Sequence, residues 1–179
     1  MEIKSRIEHY GLLFIGIVAL AGLSFKCFSY FSENKSRTNA VNSTNSVASD
    51  YDIQLKQEGV LDSNFKYINS PRTYSFYKQV SSELNKSTPI DIGDGVQMVQ
   101  ALKIPNNSTY IYKLPIKKEN FNTQVEANMN SGIPALKSTF CYQVKKHIHF
   151  QVNNMSERYV YLDVDDHLIK EIELKANQC

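Results

Sequence analysis

The side chains most suited to chemistry are His147 and His149, two imidazoles two residues apart. On a strand they would share one face and could begin a metal site. No Cys, Asp or Glu joins them at ligand spacing, so they are weak candidates only, no metal ligand is assigned, and the expectation is two histidines on a solvated face. Asp163, Asp165 and Asp166 begin like a calcium loop but lack its central glycine and closing glutamate, and read as turn residues. Asp91 and Asp94 flank a glycine turn. Paired carboxylates can share acid–base work, but neither a histidine nor a nucleophile is tied to them. The chain has no G-x-S-x-G, no phosphate-binding glycine loop, and no Cys–His pair apart from the cysteines discussed below. No catalytic residue and no cofactor are therefore assigned. The expectation is a non-enzymatic interaction module. The alternative is a small periplasmic hydrolase or metal-dependent enzyme using His147, His149 and nearby carboxylates.

Those residues follow a long apolar stretch. Tyr10 to Phe25 carries no charge, and apolar character resumes after Lys26 through Phe31. A spanning helix needs about 20 apolar residues, a length reached if Lys26 snorkels to the interface. A cleavable signal peptide is the second reading, with Ala19-Leu20-Ala21 as its site. A lipoprotein signal is the third, but Leu23 stands where the lipidated cysteine belongs. Apolar sequence beyond Ala21 favours the uncleaved anchor. All three readings export the rest of the chain. The expected organisation is a flank (1–9), a transmembrane anchor (10–31), a tether (32–69) that is disordered at its Asn/Ser-rich start, and a domain (70–179). The expected location is the inner membrane, single-pass, with the C-terminal domain in the periplasm.

Cys141 and Cys179 lie in the exported part, and Cys27 lies at the membrane edge. A bridge between Cys141 and Cys179 would tie down a residue that otherwise frays; two free thiols are the other possibility. An oxidising compartment favours the bridge. A net charge of +2 over 179 residues makes no case for nucleic acid. The chain has no tryptophan, and eleven tyrosines with nine phenylalanines supply the packing area.

The elements follow from local pattern. Ser70 is a good N-cap with Pro71 behind it, and Tyr77, Val80 and Leu84 recur at helical spacing. Ile90–Ile92, Val96–Ile104 and Thr109–Leu114 alternate like strands, separated by Gly93-Asp94-Gly95 and by Pro105 to Ser108. Glu119 to Met129 starts a helix that Asn130-Ser131-Gly132 and Pro134 interrupt, and it resumes over Ala135 to Val144. Lys145 to Asn154 fits strand or helix. Arg158–Val164 and His167–Leu174 form a second hairpin around Asp165-Asp166. The expected fold class is α+β: an N-terminal transmembrane helix, then a single small domain with a curved antiparallel sheet and helices packed on one face.

The order of these elements, with LNKSTPIDI leading into Tyr110-x-Tyr112-x-Leu114, a helix ending in Cys141, Tyr159 to Asp163 and a final cysteine, resembles the small bacterial envelope proteins that include the α/β-type pilotins of type II secretion systems. The resemblance covers about residues 72 to 179. It implies a Cys141–Cys179 disulfide, a short helix after Cys141, and an accessory role toward another envelope protein. The missing lipobox departs from the lipoprotein pattern of pilotins. The candidate partner-binding residues are Tyr74, Phe76 and Tyr77, because adjacent aromatics cannot all enter one core. No small-molecule ligand is indicated.

Overall fold

The computed structural model describes residues 48–179. The flank, the expected anchor at 10–31, the start of the tether and Cys27 lie outside the described residues. Among the described residues no helix is long and apolar enough to cross a membrane.

Helix α1 (Asp50–Gln57) opens with a reciprocal capping box between Ser49 and Asp52. The segment expected as the end of a tether is thus part of the domain. Leu55, Val60 and Leu61 are buried with Tyr77 in a second core cluster, joined at its margin by Tyr51, Phe65, Tyr67 and Phe76. Its three aliphatic residues have no regular period, and the packing became evident only in three dimensions. Helix α2 (Pro71–Asn85) begins as expected, with the Ser70 hydroxyl accepting from the Thr73 amide and Pro71 in the first turn.

The sheet is formed by β1 (Ile90–Gly93), β2 (Val96–Ile104), β3 (Asn107–Lys113), β4 (Ser156–Leu162) and β5 (Leu168–Lys175), in the spatial order β1-β2-β3-β4-β5. All pairs are antiparallel except β3–β4, which is parallel. The expected antiparallel sheet is therefore a mixed one. The cause is the long helical connection between β3 and β4, which carries the chain back to the same end of the sheet before it re-enters.

That connection is α3 (Thr123–Lys146) followed by the short α4 (Ile148–Val152). Helix α3 runs unbroken through Pro134, against the expected interruption. Val125, Met129, Gly132, Leu136, Phe140 and Val144 are buried along one continuous stripe that spans the proline. Burial along that stripe outweighs the one backbone bond that Pro134 cannot make. Helix α4 resolves the ambiguity of residues 145–154 in favour of helix.

The main core lies between α3 and the inner sheet face. There, Tyr110 stacks on Tyr159 and Tyr112 on Tyr161, at centroid separations of 5.5 and 5.4 Å. The parallel register sets Tyr110 beside Tyr159 and Tyr112 beside Tyr161, so the rings stack as cross-strand pairs. Cys141 and Cys179 are bridged, with Cα atoms 5.2 Å apart.

Candidate functional site

Two features define the site: the polar groups that are committed inside the domain, and the sheet face that α3 leaves open.

The Asp52 carboxylate is fully buried and saturated. One oxygen accepts from the Ser49 amide at 2.9 Å, the Ser49 hydroxyl at 2.6 Å and the Ile148 amide at 3.1 Å. The other accepts from the His149 amide at 3.1 Å and from His149 Nδ1. Burial pushes this carboxyl up, but the bonds from His149 and Ser49 outweigh it and hold it well below the usual range. Helix α4 has no cap of its own, and Asp52 supplies one from the other end of the domain.

His147 and His149, expected on a solvated face, are 2% and 1% exposed. The Ser49 hydroxyl gives its single proton to Asp52, so the contact of 2.7 Å to His147 Nδ1 has the imidazole N–H donating to Ser49. Burial, aided by the neighbouring His149, lowers His147 to about 4 and keeps it neutral near pH 7. Tyr51 meets both rings edge-on. The Nδ1 atoms of the two rings are engaged by Ser49 and Asp52.

Asp163 is similarly committed to structure. It accepts from the amides of Lys118, Asp165 and His167 and from His167 Nδ1. Burial raises this carboxyl, but the His167 and Lys118 amides outweigh that and bring it to about 2. Asp163, Asp165 and His167 lie close enough to share a cation, yet the bonds that Asp163 accepts already account for its position as the anchor of the β4–β5 turn. Asp91 lies in β1, paired with Gln97, and its carboxylate accepts from the Gly93 amide at the entry to the turn. Asp94 sits at positive φ in the same turn.

The outer sheet face is different. Register places Leu102 beside Thr109, Ile104 beside Asn107, and Gln100 beside Ile111. Across β3–β4, Ile111 lies beside Val160 and Lys113 beside Leu162, and Leu162 pairs with Leu168. The apolar members Leu102, Ile104, Ile111, Val160, Leu162 and Leu168 belong to neither core cluster. Leu102, Ile104 and Leu168 are 47%, 44% and 49% exposed. No described helix covers this band. Charged side chains interleave with it and pair with one another: Arg158 with Glu171, which lies beside Val160, Glu173 with Lys175, and Lys113, beside Leu162, with Asp166.

Of the candidate partner-binding residues on α2, Tyr74 is exposed. Phe76 is half-buried and meets Tyr77 edge-on, at the margin of the second core cluster. Tyr77 is a core residue, 4% exposed, whose hydroxyl donates to Tyr67 at 2.9 Å. The α1 segment supplies the partners that bury it. Local sequence reasoning missed the outer band because its members come from β2, β3, β4 and β5, and the parallel register that gathers them is not readable locally.

Among solved structures, the chain is similar to a secreted protein of Pseudomonas aeruginosa (TM-score 0.41), to the type II secretion system pilotin AspS of Vibrio cholerae (0.39), and to the pilotin EpsS of the Vibrio vulnificus type 2 secretion system (0.40). Each is 12% identical, and each match covers 59% of this chain and 90%, 90% and 89% of theirs, respectively. The likeness is one of fold alone. No protein-family model matches the sequence, and no curated protein matches it.

Proposed function

We propose that this chain is a non-catalytic interaction module of the bacterial envelope, anchored in the inner membrane through residues 10–31. Its outer sheet face binds a short amphipathic segment of another envelope protein, a component of a secretion assembly. The apolar band from Leu102 to Leu168 carries this reading, because it is a contiguous face that no described element buries. The charges on this face are paired among themselves, so the face favours an apolar ligand surface over a charged one. The sequence resemblance to pilotin-like envelope proteins suggests the partner class. The burial of Asp52, His147 and His149 weighs against the hydrolase alternative built on those histidines.

The reading is tested by charge placed on the band. Ile111→Glu and Val160→Glu should abolish co-purification of the envelope partner from solubilised membranes while the melting temperature holds. Unchanged co-purification with both variants would refute it.

A further inference from the structure

The N-terminal edge of the domain is held by a small number of buried polar bonds together with the packing of Tyr51 and Leu55 against the second core cluster. Ser49 and Asp52 join the start of the domain to α4 through His147, Ile148 and His149. Along α1 itself the buried side chains are Asp52 and Leu55. Ile53 is 44% exposed. The chain that precedes residue 48 enters the domain at this point.

We propose that residues 49–57 form an acid-releasable latch: docked on α4 at neutral pH, and released on acidification while the sheet stays folded, so that the connection preceding the domain lengthens. The groups facing the latch come from every element packed on it. Tyr51 lies beside both imidazoles, Tyr67 meets His149 edge-on, and Tyr77 bonds Tyr67. Lys146, at the end of α3, adds positive charge near His147, and Tyr110 of β3 lies within electrostatic reach of Tyr51. Asp52 is the acidic group of this set and is already saturated by donors.

The sign follows from which form takes up the proton. In the docked form the buried His147 titrates near 4, against an ordinary value of 6.5 when solvated. Between these values the released form binds the proton and the docked form does not, so docking weakens as pH falls from about 6.5 toward 4. At pH 5 the balance moves toward release by roughly 30-fold relative to pH 7.5. Asp52, whose carboxyl is lowered in the docked form, adds to the loss in stronger acid.

Hydrogen exchange of the full-length chain, corrected for intrinsic exchange, tests this. Amides of Asp52 to Leu55, Ile148 and His149 should exchange roughly 30-fold faster at pH 5 than at pH 7.5, with Tyr110 and Tyr159 unchanged. His147→Asn keeps a donor for Ser49 but cannot titrate, and should remove most of that acceleration. Asp52→Asn should open the same amides already at pH 7.5. Equal latch protection at both pH values, opening together with the sheet, or full acceleration retained in His147→Asn would each overturn the proposal.

Discussion

Asn85 holds both backbone groups of Ala101: its side-chain amide donates to the Ala101 carbonyl at 2.7 Å, and its oxygen accepts from the Ala101 amide at 2.8 Å. One helical turn earlier, the Ser81 hydroxyl accepts from the Lys103 amide at 2.8 Å and lies 3.1 Å from its carbonyl. Four residues of helix rise about 6 Å and two residues of strand about 6.7 Å, so side chains at i and i+4 of α2 match alternate residues of β2. The half of β2 that the short β1 does not reach is thereby closed by side chains instead of a strand, which protects the edge from pairing with another chain.

Asn85→Ala should therefore leave Ala101 with an unpaired donor and acceptor and cost about 2–3 kcal/mol, more than Ser81→Ala. Urea denaturation measures the loss. Light scattering should also show self-association of the Asn85 variant.

Replacing Pro134 by Ala should stabilise the domain. Pro134 is exposed within α3, and an alanine amide there can complete the helical ladder. A gain of about 1–3 kcal/mol is expected, reduced by the greater freedom of the unfolded chain. Calorimetry should show a higher melting temperature.

These two cases show what was legible. The Ser70–Pro71 start, the β2–β3 hairpin and the β4–β5 hairpin are local, and their caps, turns and alternation were readable. Pro134 was misread because a local breaker was outweighed by a buried stripe from Val125 to Val144. Residues 145–154 alternate like a strand, and a remote carboxylate, Asp52, caps them as a helix. His147 and His149 looked solvated because the element that buries them begins at Ser49, almost a hundred residues earlier. The outer band depends on β3 and β4 being parallel, which only the whole α3–α4 crossover determines.

Opening the Cys141–Cys179 bridge should destabilise without unfolding the sheet outright. The bond closes a separation of 38 residues, worth about 4 kcal/mol in the chain-entropy model. A Cys141→Ser, Cys179→Ser double variant, or reductant alone, should lower the denaturation midpoint, as read by circular dichroism.

Asp163 should contribute stability that is fully present above its unfolded value near 4 and is lost as pH falls toward about 2. Asp163→Asn should flatten the acid limb of the stability curve in that window. The check is urea denaturation at a series of pH values in wild type and variant.

The outer face is tested most directly by a photo-crosslinking amino acid placed in cells at Val160, at Ile111 and, as a control, at the exposed Tyr74 of α2. Positions 160 and 111 should capture the same envelope protein, through one short segment identified by mass spectrometry, and Leu102→Glu should suppress both adducts. Adducts only at position 74, or none at 160 and 111 with the domain folded, would contradict the outer face as the binding surface.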